Sequence, residues 1–197
     1  RFTLILAALD TGSAFEGMGA AREGLFSAMA EPVLLFCLMV LAYESREHTL
    51  SLMLGGLPSA VWLAQWPMYL LLAIALFFLL LTENCRIPVD DPNTHLELTM
   101  IHEAMVLDHS GPLLGAITYS ASLKLLIIGS LLVDIVAPWR TGNPLADWPV
   151  FAGELVVLAV VIGVVESVMA RLRMNRVPYL LVSAILLCGS AFILLVR

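Results

Sequence analysis

Five apolar runs, over residues 25–43, 67–82, 113–137, 150–170 and 178–196, constrain this chain more than any other feature. An α-helix rises 1.5 Å per residue, so about 20 apolar residues cross the ~30 Å hydrocarbon core of a bilayer. The expected fold is therefore all-α: a polytopic helical membrane bundle of about five complete spans plus a remnant at 1–9, too short to cross. Composition agrees, with 60% hydrophobic and 13% charged residues and a mean hydropathy of +0.95. An ordinary soluble domain is excluded. A net charge of −6, with the acids near membrane surfaces and within spans, argues against a nucleic-acid partner, which would need clustered Lys and Arg. The chain starts at Arg1 with no initiator Met, charged leader or cleavage pattern, so residues 1–197 read as one transmembrane domain, the later part of a longer subunit.

Taken in order, residues 10–24 contain glycines and acids and read as a loop with close backbone approaches. The first span is interrupted by Glu31-Pro32. Proline removes a backbone donor and kinks the helix, and an acid beside it is costly unless paired or hydrated. Glu31 is then either a snorkelled acid at a structural kink or a proton-accessible group. The stretch 44–65 reads as a linker, with Trp62 and Trp66 suited to an interfacial belt. The second span has no charge and reads as lipid-facing scaffold. The third carries Lys124, expected at mid-membrane depth, and Asp134 near its end. Pro138, Gly142, Pro144 and Pro149 punctuate the next connection. The fourth span holds Glu154 near its start and Glu166 near its end, and Arg171, Arg173 and Arg176 close it.

Between the second and third spans lies the segment 83–111, with six of the sixteen acids and three of the four histidines but Arg86 as its only permanent cation. We read it as the working face. Asp91-Pro92 or the capping box Thr94-x-x-Glu97 would start a helix that ends near His109, before Ser110-Gly111-Pro112. Leu96, Met100, Ala104 and Leu107 share one stripe, which makes that helix amphipathic. His95, His102 and His109 recur every seven residues, about 10 Å apart along a helix, too far to share a metal. The zinc pattern H-E-x-x-H is not completed after His102-Glu103. The histidines form either a partner-facing row or a proton relay. Cys37, Cys85 and Cys188 show no metal-ligand spacing and read as buried small hydrophobes.

Lys124 is the only lysine, and an ammonium within a span costs several kcal/mol, about 3 on insertion scales, unless it is paired or neutralised. It is either one half of an ion pair with Glu31, Asp134 or Glu154, or a member of a protonatable chain. The proton-path candidates are Glu31, Glu97, Glu103, Lys124, Asp134, Glu154 and Glu166, and the partner-docking candidates are Arg86, Asp90, Asp91, His95, His102 and Asp108. Counting Lys and Arg on alternate sides gives five (Arg22, Arg86, Arg171, Arg173, Arg176) against three (Arg46, Arg140, Arg197), which places 83–111 in the cytoplasm.

The run R-I-P-V-D-D-P-N-T-H-L-E-L, with D-H-S-G after it, resembles the cytoplasmic loop of the complex I subunit 1 family. That family's quinone branch reads E-R-x-P-F-D-L-x-E-x-E-x-E-L and later E-Y-S-G. Arg86, Pro88, Asp90, Glu97 and Leu98 match, as do Asp108, Ser110 and Gly111. Asn93 and His95 stand where the quinone branch has glutamates. T-H-L-E-L-T-M-I-H-E is instead similar to the membrane subunit of formate hydrogenlyase and other group 4 energy-converting nickel–iron hydrogenases, as are A-L-D-T-G-S-A-F-E-G-M-G-A-A-R-E with Ala30-Glu31-Pro32, and E-S-V-M-A-R-L-R-M-N-R-V-P. The resemblance implies a non-catalytic subunit of an oxidoreductase complex in the inner membrane, with no cofactor of its own. The nickel–iron centre and iron–sulfur clusters would lie in partners: hydrogenase large and small subunits, a ferredoxin-like iron–sulfur subunit and antiporter-like membrane subunits. The alternatives are the quinone-site subunit of an NADH–quinone oxidoreductase and a free-standing transporter. No internal repeat supports the last.

Overall fold

The structure is a computed structural model that describes residues 2–55, 59–90, 103–106, 109–138 and 143–196. Its elements are α1 (Phe2–Asp10), α2 (Ala14–Ser45), α3 (Leu50–Gly55), α4 (Ser59–Ala64), α5 (Trp66–Glu83), α6 (Pro112–Val136), α7 (Pro144–Val168) and α8 (Val177–Val196), with 3-10 turns at Glu103–Met105 and Met174–Arg176. Among the described residues there is no strand, and α2, α5, α6, α7 and α8 provide five helices long and apolar enough to cross a membrane. Helices suit that setting because every backbone N–H and C=O is satisfied within the segment.

The core lies where α2, α5 and α8 meet. Val33, Cys37 and Val40 of α2, Leu72, Leu76 and Leu79 of α5, and Leu181, Ala184, Cys188 and Ala191 of α8 are all buried. Their spacing of three and four residues gives each helix one seam, the geometry of ridges packed into grooves at a shallow crossing angle. Ala75, Ala184, Cys188 and Ala191 are small, which lets the backbones approach where lipid supplies no hydrophobic drive. The contacts Cys37 Sγ to Leu72 O (4.0 Å) and Cys188 Sγ to Val33 O (3.9 Å) fix the three helices at one level. The described spans alternate in direction, so the C-terminal end of α5 lies beside the N-terminal ends of α2 and α8.

The second span does not lie on the lipid-facing edge. α5 is the most enclosed of the five, with 56% of its central window buried, and packs against α2, α6 and α8. A helix apolar all round carries no stripe that says whether protein or lipid surrounds it. The outermost helix is α7, 6% buried and packed mainly on α6.

The glycine-rich stretch is helix, not loop. α2 begins at Ala14 and runs 32 residues, about 48 Å at 1.5 Å per residue, beyond the ~30 Å needed to cross. Gly17 and Gly24 have no atom within 4 Å of where a Cβ would sit, so no close backbone approach explains them. Packing overrides their poor propensity: Glu16, Gly19, Ala20, Glu23, Ser27 and Ala30 continue the buried stripe that leads into the core. Pro32 lies within α2, and Pro149 lies within α7 instead of in the connection before it. Near a helix start proline removes only one intrahelical bond. Asn143 caps α7 by accepting from the Leu145 amide at 3.3 Å. In the 44–65 linker, Trp62 turns inward: its Nε1 donates to Ile135 O at 2.9 Å and its ring stacks on Tyr69. Trp66 remains half exposed.

Candidate functional site

All six buried polar or charged residues among those described, Glu16, Glu23, Ser27, Thr82, Glu83 and Asp90, lie at the end of the bundle where α5 stops. Ion pairs make that end specific. α5 ends in a Schellman turn, with Arg86 N–H donating to Leu81 O at 2.9 Å and Cys85 N–H to Thr82 O at 3.3 Å. Cys85 takes the left-handed position at φ 48° that glycine usually fills. The turn carries Arg86 to α7, where its Nη1 lies 3.4 Å from Glu166 Oε1. A second turn, Val89 N–H to Arg86 O at 2.8 Å, brings Asp90 Oδ1 to 3.1 Å from Arg171 Nη2. Leu172 N–H donates to Pro88 O at 2.8 Å, so the α7–α8 connector is bound to the end of α5 by backbone as well as by charge.

Lys124 pairs with Glu83, its Nζ 3.9 Å from Oε2, and not with Glu31, Asp134 or Glu154 as the sequence reading allowed. It stands at the midpoint of α6 and opposite the last residue of α5, because the first half of α6 extends beyond the end of that helix. Glu83 is a side chain that sequence reasoning placed in the acidic segment without singling out. Glu16 and Glu23, 0% and 3% exposed, were missed because the glycines around them pointed to a loop. A seven-residue spacing puts both on one face of α2. Glu16 accepts from the Thr11 hydroxyl and lies 3.9 Å from His109 Nδ1, too long for a hydrogen bond. Glu23 Oε2 is 4.0 Å from Cys85 Sγ. Glu23, His109 and Lys124 line a cavity of about 640 Å³ between α1, α2 and α6.

The other candidates divide clearly. Glu31 is exposed on α2 and its Oε1 is 3.4 Å from Ser27 Oγ. Asp134 lies ten residues beyond Lys124, about 15 Å along α6, and Glu154 lines an apolar groove with Ala73, Phe77 and Val136 at the opposite end. Neither joins the Glu83–Lys124 cluster. Asp91, His95, Glu97, His102 and Asp108, most of the expected amphipathic helix, and the side chain of Glu103 lie outside the described residues. Ala104 and Met105, on the described 3-10 turn, are buried against α1 and α2. Among the described residues no three His, Cys, Asp or Glu side chains gather as a metal cage requires. Cys37 and Cys188, whose Sγ atoms lie 3.8 Å apart, sit in the apolar core.

Residues 1–197 match the family described as NADH dehydrogenase. The chain is 31% identical over 189 residues to Formate hydrogenlyase subunit 4 of Escherichia coli (strain K12), covering 90% of the chain and 59% of that protein. Over 180 residues it is 28% identical to Hydrogenase-4 component C of the same organism, covering 88% of the chain and 55% of that protein. It thus spans little more than half the length of these curated relatives.

Proposed function

The chain belongs to the NADH dehydrogenase family, and we propose that within it the chain anchors and couples a group 4 nickel–iron hydrogenase complex of the formate hydrogenlyase kind. The observation that carries this reading is the gathering of every described buried polar residue, with three ion pairs, at one end of an otherwise apolar bundle. Likeness to two hydrogenase-complex subunits supports the branch. The excess of Lys and Arg on the same side supports an inner-membrane subunit with segment 83–111 in the cytoplasm.

In this reading the redox chemistry belongs to partners: hydrogenase large and small subunits carrying the nickel–iron centre and iron–sulfur clusters, a ferredoxin-like subunit, and antiporter-like membrane subunits that take up the ion movement. This chain contributes docking and electrostatics. Arg86 and Asp90 are held by Glu166 and Arg171 and give the docking segment a rigid base. Glu83 and Lys124 lie beneath it, and their 3.9 Å separation leaves room to tighten or part. A unit charge arriving ~10 Å away changes the energy of such a carboxylate by about 1.7 kcal/mol at an effective dielectric near 20, more than a tenfold change in its proton-binding constant. Glu23 lines the same cavity as Lys124, and Glu16 lies on the same face of α2, so the buried acids continue from that pair along the helix.

The test is to solubilise the chain with its native partners in mild detergent and assay the particle for hydrogen evolution from reduced viologen and for NADH–quinone reduction. Hydrogen evolution with a co-purifying nickel protein is expected. Quinone reduction without it would transfer the chain to the quinone-site reading, and a stable particle with neither activity would favour a transporter.

A further inference from the structure

A crevice of about 340 Å³ runs between α6 and α7 from the ion-paired end into the bundle. Its depth is apolar, lined by Leu125, Leu126, Leu155 and Leu158, and its rim holds Arg86 and Glu166. From Leu155 to Glu166 it follows α7 for about 16 Å, a run suited to an acyl chain. Glycine leaves it open: a Cβ on Gly163 would meet nothing within 4 Å. α7 is only 6% buried, so most of its surface is left uncovered by the described residues.

Arginines gather beside the rim. Arg86 keeps 42% of its side chain exposed, and its bond to Glu166 occupies one donor of a group that has five. The hydrogen bond from Leu172 to Pro88 holds the α7–α8 connector beside the Arg86 turn, and that connector carries Arg173 and Arg176. Both are exposed, and neither makes an ion pair among the described residues. Among the described residues of this turn and connector, Arg86, Arg171, Arg173 and Arg176 stand against Asp90 and Glu166, an excess of positive charge in a chain whose net charge is −6. A soluble anion would use the arginines but leave the apolar crevice unexplained.

We propose that this is a binding site for an anionic phospholipid, its phosphate on Arg86, Arg173 and Arg176 and one acyl chain between α6 and α7. Basic residues at a membrane surface hold anionic headgroups, about fivefold in retention for each arginine.

The experiment uses the complex purified with its native partners, delipidated and re-exposed to equal amounts of phosphatidylglycerol and phosphatidylethanolamine, with retained lipid measured by native mass spectrometry. Phosphatidylglycerol should be retained at least about tenfold over phosphatidylethanolamine, and R173Q/R176Q should lower its retention about 25-fold. Gly163→Leu, which fills the crevice, should lower it as well. Thermal unfolding checks that each variant is folded, and the arginine pair decides the question if the glycine variant is not. Equal retention of the two lipids, or wild-type retention in both variants, overturns the site. Inorganic phosphate competing as well as phosphatidylglycerol at equal concentration would make it a free-anion site and overturn the acyl-chain part. Loss of the soluble partners in R173Q/R176Q with lipid retention unchanged would make the surface a protein dock and overturn it too.

Discussion

Breaking the Asp90–Arg171 pair should loosen the end of the bundle by more than an exposed ion pair would. Asp90 is 5% and Arg171 20% exposed in their side chains, and the atoms are 3.1 Å apart. At an effective dielectric near 20 the direct attraction is about 5 kcal/mol before desolvation is subtracted. Removing one partner from such a pair costs about 3–5 kcal/mol when burial is complete, and the partial exposure of Arg171 lowers the expectation to about 2–3 kcal/mol. Arg171→Gln should cost more than Asp90→Asn, because it takes the guanidinium from a buried carboxylate, whereas a long arginine can swing toward water. In a double-mutant cycle with Asp90→Asn and Arg171→Gln, unfolding of the purified protein in mixed micelles should give a coupling energy of about 1–3 kcal/mol. Additivity within about 0.5 kcal/mol would refute the reasoning, since the loop after α5 and the α7–α8 connector would then be independent.

Two further predictions test the packing that positions the site. Oxidation of membranes with copper phenanthroline should join Cys37 to Cys188, whose sulfurs are 3.8 Å apart, and leave Cys85 alkylatable; peptide mass spectrometry showing no such link would contradict the α2–α8 seam. Trp62→Phe keeps a ring over Tyr69 but deletes the 2.9 Å bond to Ile135 O, so the thermal transition should show a loss of about 1 kcal/mol, and an unchanged transition would mean that α4 is not held to α6 in this way.

What the sequence revealed was local. Each span is long and apolar by itself, so its existence needed no knowledge of its neighbours, and all five appear with ends moved by at most eleven residues. The largest shift, at the start of α2, shows why: glycines among acids look like a loop until the seven-residue spacing of Glu16 and Glu23 is joined to the Ala30, Val33 and Cys37 stripe. That signal was present and was outweighed by glycine propensity. The centrality of α5 was not legible, because an all-apolar helix looks the same against protein and lipid. Pairing was not legible either. Glu83 and Lys124 are joined by how far α6 extends past the end of α5, a property of the assembled bundle. Arg86 and Asp90 were readable as site residues from their motif, but their partners Glu166 and Arg171 lie about eighty residues away in the chain.

The central claim, that the ion-paired end links a partner's electron transfer to ion movement, is tested most directly by Lys124→Met in sealed inverted vesicles that contain the whole complex. Hydrogen evolution and the acidification it drives are measured together. Met is close to Lys in length but cannot bind Glu83 or carry a proton, so the variant should still assemble and evolve hydrogen from reduced viologen while acidification falls to the level seen with an uncoupler. Full acidification at wild-type hydrogen evolution would contradict the account.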